Sequence, residues 1–164
     1  MDRKFTENHH VIHAFPMAII AANEDMFNGS PRSDVISLHG AQRLIFMIIT
    51  NHVVAGGSAL IRVDGCSDTT PSTTCALTFN VRTIAAPDTA VNQGDTQAYT
   101  TAETSDIIYE IEIDACQLAG CSNVPYEFAR LTMDAISDVG TDGAVVAFLD
   151  GLRNAEDILP TQVA

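Results

Sequence analysis

The stretch DIIYEIEIDA, residues 106–115, decides the fold class of this chain. Side chains that would share one face of an extended strand are Ile107, Tyr109, Ile111 and Ile113, and those that would share the other are Ile108, Glu110, Glu112 and Asp114. Because successive side chains of a strand point to opposite sides of its sheet, this stretch is predicted to be a β-strand with one buried and one solvated face.

Similar patterns lie on both sides of this stretch. Alternating or continuous apolar residues occupy segments 35–40, 42–54, 58–65, 76–84, 127–135 and 144–152. Within the second segment, residues 44–49 form an uninterrupted Ile-rich run close to a Gly-Gly break. A run this short predicts a strand that is buried on both faces rather than a helix.

The spacing of turns between these segments predicts an all-β fold, a single β-sandwich or jelly-roll-like domain of about seven or eight strands. Residues 34–164 are assigned to this domain, which ends in a short polar tail. Residues 1–33 have no clean apolar period and end near the turn signal NGSP, so they are predicted to be an extended N-terminal arm or entry segment outside the central sheet. Residues 86–105 are Thr-rich and fit a long excursion or a short edge strand around Tyr99.

Charge limits the partners that this chain can have. Eight basic residues face 21 acidic ones, which gives a formal net charge of −13 and a surface that repels nucleic-acid phosphate. Hydrophobic residues still make up 46% of the chain, and no apolar run reaches the roughly 18 residues of a membrane-spanning helix. We therefore expect the excess apolar surface to be buried against partner subunits. The acidity fits either simple solubility or docking onto a basic patch of a larger assembly.

Four cysteines fall into two local pairs, Cys66 with Cys75 and Cys116 with Cys121. The two strands predicted within residues 58–84 are expected to form a hairpin that brings the first pair together. Three states stay open: reduced structural thiols, disulfides that close two short loops, or metal ligation, which lacks the CxxC spacing usual for zinc. The redox state of the compartment decides between thiols and disulfides.

No catalytic pattern stands out in the sequence. It has no nucleophile elbow, phosphate-binding Gly-rich loop, HExxH motif or EF-hand spacing, so we expect neither an enzyme nor a bound cofactor or metal. The His residues weighed as ligands or bases are His9, His10 and His13, expected in a mobile or interfacial arm, and His39 and His52, expected at strand ends. Glu110 and Glu112 would share a strand face as catalytic carboxylates do, but such a pair is also typical of the solvent face of an acidic β protein.

Residue types leave one ligand-binding alternative, a carbohydrate- or calcium-binding sandwich module. Loop carboxylates that could hold calcium are Asp64, Asp68, Asp138 and Asp142, although their spacing follows no known loop motif. Aromatic side chains on which a sugar could stack are Tyr99, Tyr109 and Tyr126, and the chain has no Trp. This supply of aromatic residues is small for a sugar site.

Five phrases, which together cover most of the chain, have a recognisable pattern. They are FTENHHVIHAFP (5–16), RLIFMIITNHVVAGGSALIRVDGC (43–66), IIYEIEIDA (107–115), YEFARLTMD (126–134) and GAVVAFLDGLRNAEDILPT (143–161). In their order along the chain and in their sequence, these segments resemble a group of small virion proteins of tailed phages, which are capsid cement or decoration proteins.

The resemblance implies a non-enzymatic structural protein that is assembled in the host bacterial cytoplasm and sits on the outer surface of the phage capsid. Its expected partners are the major capsid protein and further copies of itself, as a dimer or trimer, with neither nucleic acid nor membrane. The candidate capsid contacts lie in the arm and are Arg3, Lys4, Phe5, Val11, Ile12, Phe15 and Met17. An arm that orders on binding can cover a wide surface; the alternative is that it packs on its own domain. A tail or head–tail connector component is the alternative place in the virion.

Overall fold

A computed structural model describes residues 9–14, 26–52, 56–71, 73–102, 106–121, 126–137 and 140–151. Its strands are β1 (His9–His13), β2 (Ile36–Ser37), β3 (Arg43–His52), β4 (Ser58–Cys66), β5 (Thr74–Ala76), β6 (Phe79–Ala85), β7 (Thr89–Thr96), β8 (Tyr99–Thr100), β9 (Ile107–Asp114), β10 (Phe128–Ser137) and β11 (Thr141–Asp150). A 3₁₀ helix, Ala115–Gly120, follows β9. The predicted all-β class is confirmed. The described residues contain more strands than expected because several, such as β2, β5 and β8, have only two or three residues.

The strands form two antiparallel sheets. The six-stranded sheet has the order β1-β11-β3-β9-β6-β7. The five-stranded sheet has the order β2-β10-β4-β5, with β8 also paired to β4. The pairing of β11 with β3 runs from Thr141 opposite His52 to Asp150 opposite Arg43, so the centre of the six-stranded sheet is long and regular.

Alternate residues of both sheets point into one hydrophobic core. Fully buried side chains from the six-stranded sheet include Phe46, Phe79, Tyr109 and Ile111, and those from the five-stranded sheet include Ile61, Leu131 and Met133. The inward residues of β9 are those that the period of two predicted, and β4 and β10 alternate in the same way. Burial of these apolar side chains is the main source of the fold's stability.

β3 is not buried on both faces, as its continuous apolar run had predicted. Phe46 and Ile48 are fully buried in the core. On the other face, Ile45 and Met47 are half-buried and Ile49 is 41% exposed. An antiparallel sheet needs no crossover helices on its faces, so one face can stay uncovered. The run therefore supplies both core residues and an outward apolar surface.

The expected hairpin between segments 58–65 and 76–84 forms only at its closed end, where Ala76 lies opposite Asp64 and Cys75 lies opposite Gly65. β4 pairs with β5, β8 and β10, whereas β6 pairs with β7 and β9 of the other sheet. The chain changes sheet after β5, where the buried Leu77 donates its N–H to the Val63 carbonyl at 2.9 Å. The sequence does not mark this change because Leu77 and Phe79 keep the period of two across it. Residues 86–105, in which a short edge strand around Tyr99 was one expectation, contain both β7 and β8.

The described part of residues 1–33 does not lie outside the central sheet, contrary to the prediction. β1 pairs with β11 as an edge strand of the six-stranded sheet. Core residues from this part of the chain are Ile12, Ala14, Met26 and Phe27. The sequence HHVIH of β1 does not alternate, because the exposed Val11 is as apolar as the buried Ile12, so no period of two marks this strand.

Candidate functional site

The outward face of the six-stranded sheet carries a contiguous group of apolar side chains. This outer patch consists of Val11 of β1, Ala144, Val146 and Phe148 of β11, Ile45, Met47 and Ile49 of β3, Ile108 of β9 and Ile84 of β6. The strand registers place its members side by side. Val11 lies opposite Phe148, which lies opposite Ile45. Ala144 lies opposite Ile49, which lies opposite Ile108.

Members of the outer patch reach solvent to different degrees. Val11 is 52% exposed and Ile49 is 41% exposed, while Ile45, Met47 and Val146 are half-buried. These positions alternate with core residues, and on a solvated sheet face they would ordinarily be polar. Contiguous apolar surface of this kind is typical of a site that binds another macromolecule.

Carboxylates border the outer patch. This acidic rim consists of Glu110, Glu112 and Asp114 of β9 and Asp142 and Asp150 of β11. Glu110 and Glu112 lie opposite Met47 and Ile45, in the same rows as the patch. The other members lie at the two ends of the sheet, because Asp142 is the second residue of β11, Asp150 is its last, and Asp114 is the last residue of β9.

Two guanidinium groups and one imidazole contact the acidic rim. Arg43 lies 3.1 Å from Glu112 and 3.5 Å from Asp114, and Arg82 lies 3.3 Å from Glu110. His9 Nε2 lies 3.1 Å from an oxygen of Asp150. Five carboxylates against two guanidinium groups leave three negative charges on this face when His9 is neutral.

The outward face of the five-stranded sheet has a different composition. Arg62 forms an ion pair with Asp134, and Arg130 lies 3.5 Å from Asp64. The Thr132 hydroxyl also donates to Asp64, at 3.2 Å. The two strand carboxylates of this face, Asp64 and Asp134, thus each pair with an Arg, and Arg32 lies exposed beside Thr132.

The predicted capsid contacts separate in the structure. Val11 belongs to the outer patch, whereas Ile12 is buried in the core and is unavailable to a partner. The two residues differ because neighbours on a strand point to opposite sides of the sheet. The other candidates, Arg3, Lys4, Phe5, Phe15 and Met17, lie outside the described residues.

The cysteines do not join in the local pairs suggested by their spacing. Cys75 and Cys121 form a disulfide with their Cα atoms 5.7 Å apart, while Cys66 is a buried thiol and Cys116 an exposed one. Local pairing fails at the first pair because Cys75 lies opposite Gly65, so the Cys66 side chain is on the other side of the sheet. Burial raises the pKa of the Cys66 thiol to about 11.

The residues weighed as metal ligands are spread over the structure. The described residues contain no group of three or more His, Cys, Asp or Glu side chains placed to hold a metal ion. β1 places His9 and His13 on one face but roughly 13 Å apart, too far to share an ion. Asp64 is engaged by Arg130 and Thr132, and Asp138 lies outside the described residues.

His39 and His52 were predicted to lie at strand ends, and the backbone places both of them there. His52 is the last residue of β3, and His39 follows β2 with its backbone N–H donating to the Ser37 hydroxyl at 3.3 Å. This hydrogen bond belongs to the turn that follows β2.

The tyrosines do not form an exposed platform for a sugar ring. Tyr109 and Tyr126 are buried, and the Tyr99 ring is half-buried with its centroid 6.0 Å from that of Tyr109. The Tyr109 oxygen accepts a hydrogen bond from the Ala102 N–H at 2.8 Å, and burial raises the pKa of Tyr109 to about 12. These contacts make the tyrosines core residues and remove the aromatic basis of the carbohydrate alternative.

Comparisons with known proteins add one structural neighbour. No protein-family model matches the chain, and no curated protein matches it significantly. The crystal structure of the SPBc2 prophage-derived protein YomS is similar to it with a TM-score of 0.44 and 10% sequence identity, over 87% of this chain and 92% of that one. Similarity this low establishes neither a common family nor a function. In the part of the chain that the structure describes, no helix has the length and apolar character needed to cross a membrane.

Proposed function

We propose that this protein is a non-enzymatic structural component of a phage virion, a cement or decoration protein that binds the outer surface of the capsid through its outer patch. The observation that carries the proposal is the contiguous apolar face on β11 and β3, in contrast to a second sheet whose strand carboxylates Asp64 and Asp134 pair with Arg side chains. The resemblance of the sequence phrases to small phage virion proteins supports the choice of a capsid as partner.

The outer patch is suited to binding on a repetitive shell. Most of its side chains are Val or Ile, which lose little rotamer freedom when a partner covers them. They lie on a regular six-stranded sheet, so little backbone has to become ordered on binding. A capsid repeats each contact by symmetry, so modest affinity per copy is enough to stabilise it.

The carboxylate pair with the geometry of a catalytic site also supports a binding role. Glu110 and Glu112 share one strand face, as the sequence predicted, but each lies beside an Arg and borders the outer patch. Carboxylates in this position act as the polar rim of an interface, which is the usual arrangement around an apolar centre.

The experiment compares two isoleucines on opposite sheets. Ile49 belongs to the outer patch, and Ile136 is 57% exposed on β10 of the five-stranded sheet. Co-sedimentation with empty capsids of the phage that encodes the chain is measured for wild type, Ile49→Asp and Ile136→Asp. We expect wild type and Ile136→Asp to bind in many copies and to raise the temperature of capsid disruption, and Ile49→Asp to lose at least about tenfold in affinity.

Three outcomes contradict the proposal. Wild-type protein that does not bind capsids removes the capsid role, and binding in a few copies at one vertex favours a tail or connector component. Equal loss of affinity in both variants shows that the outer patch is not the contact surface. Circular dichroism melts of both variants check that they are folded, since the cost of Asp in a strand depends on its position in the sheet.

A further inference from the structure

We infer that the surface bound by the outer patch is an apolar area surrounded by Lys and Arg side chains on a different protein, and not a second copy of this chain. The inference rests on the proposed function and adds the chemistry of the partner. Its basis is the acidic rim together with the pairing of charges on both sheets.

The acidic rim borders the outer patch on three sides. Asp142 lies at one end of β11 and Asp150 at the other, while Glu110 and Glu112 follow the patch along β9. When a partner covers the apolar centre, the part of its surface around the contact therefore lies against these carboxylates. Complementary positive groups in those places speed association and select the partner.

The Arg residues of this face do not neutralise the rim. Arg43 lies between Glu112 and Asp114, so one guanidinium is shared by two carboxylates. The Asp114 side chain is 57% exposed, and the guanidinium of Arg82 forms its ion pair with Glu110. Negative charge thus remains at the edge of the patch, where a basic partner can bind it.

A second copy of the chain would be a poor partner for this face. A two-fold contact between two outer patches places one acidic rim near the other, and juxtaposed like charges oppose binding. Each chain also carries a net charge of −13. The same charge disfavours nucleic acid. Self-association as a dimer or trimer stays a prediction and would use another surface.

The closing experiment neutralises two carboxylates on each sheet. Asp114→Asn with Asp142→Asn removes two charges from the acidic rim. Asp68→Asn with Glu127→Gln removes two exposed charges from the side of the five-stranded sheet and changes the net charge equally. Capsid affinity is measured for wild type and both double variants at about 50 mM and about 300 mM NaCl, a range over which the screening length shortens markedly.

We expect wild-type affinity to fall at least about tenfold between the two salt concentrations. The rim variant should bind about fivefold more weakly than wild type at low salt and depend less on salt, and the control variant should stay within about twofold. If the affinity for capsids is the same at both salt concentrations and the same in the rim variant as in wild type, the inference is overturned while the capsid role stays intact. Absence of wild-type binding at either concentration is instead a failure of the proposed function.

If the wild-type protein does not bind capsids, a measurement without capsids still tests the inference. A short peptide of alternating Leu and Lys is titrated into the protein and followed by NMR. Chemical shifts of β3 and β11 should move in wild type and in the control variant, move less in the rim variant, and not move in Ile49→Asp. Equal shifts in the two double variants contradict the inference. So does a free protein that sediments as a dimer and becomes monomeric on Ile49→Asp, because the patch is then covered by a second copy.

Discussion

The outward faces of the two sheets differ in where their side chains find partners. On the five-stranded sheet, Arg62 and Arg130 each contact an Asp on a neighbouring strand. On the six-stranded sheet, the central outward residues Ile45 and Met47 are apolar and the charges are displaced to the rim. A polar sheet face whose strand carboxylates pair with Arg of the same sheet has the ordinary composition of a solvated face. A face with exposed apolar area and a rim of unbalanced charge is typical of a surface that binds another macromolecule.

The ion pairs of the two faces also differ in burial. The side chains of Arg130 and Asp64 are 14% and 22% exposed, against 48% and 40% for Arg43 and Glu112. Solvent screens the second pair far more than the first, so the two pairs should respond differently to mutation. A disulfide, Cys75–Cys121, also links the two sheets.

Removal of the Cys75–Cys121 disulfide should have the largest effect on stability. It joins β5 of the five-stranded sheet to the chain that follows β9 of the other sheet, with a sequence separation of 46. The double variant Cys75→Ser, Cys121→Ser should lose about 4 kcal/mol of unfolding free energy, because its unfolded chain is no longer constrained. Urea denaturation measures this, and Cys116→Ser, at an exposed thiol, should stay within about 0.5 kcal/mol of wild type. Equal stability of the two variants would show that the two sheets do not depend on this link.

Breaking one ion pair on each face should lower the unfolding free energy by different amounts. Asp64→Ala leaves Arg130 mostly buried without its carboxylate and removes the acceptor of Thr132, so we expect a loss of about 2 kcal/mol. Glu112→Ala breaks an exposed pair and should cost no more than about 0.5 kcal/mol. The measurement is chemical denaturation of both variants. Similar losses would mean that the five-stranded face is no more internally satisfied than the other.

Replacing one exposed isoleucine on each sheet should change dye binding rather than stability. Ile49→Ser interrupts a contiguous patch, whereas Ile136→Ser removes a side chain that is not a member of it. Both variants should unfold within about 1 kcal/mol of wild type. Fluorescence of a hydrophobic dye should fall for Ile49→Ser alone, and an equal fall in Ile136→Ser would argue against a distinct apolar face.

An alkaline change in stability is expected at Cys66. Burial raises the pKa of this thiol from 9.0 to about 11, so the unfolded chain releases its proton first as the pH rises. The folded state then binds more protons than the unfolded state, and the unfolding free energy falls between pH 9 and 11. Cys66→Ala should show a shallower fall over this range in denaturation experiments. An identical slope would indicate that the thiol is accessible to water on the five-stranded side.

The period of two was enough to predict which residues of β9 enter the core. In β9, Tyr109, Ile111 and Ile113 are buried as predicted, because alternation is a property of any strand whose sheet covers one side. The apolar run of β3 was less informative. Ile45 and Met47 have the composition of core residues, and only their position on an uncovered face makes them a candidate site.

Sequence alone determined the β class, the acidic character and the inward faces of the long strands, since each depends on local composition and alternation. Only the tertiary structure decided that β4 and β6 belong to different sheets, that Cys75 meets Cys121 instead of Cys66, and that the described residues leave an apolar face next to Val11 uncovered. These features depend on strand partners distant in the chain, and a period of two is the same whichever strand lies alongside.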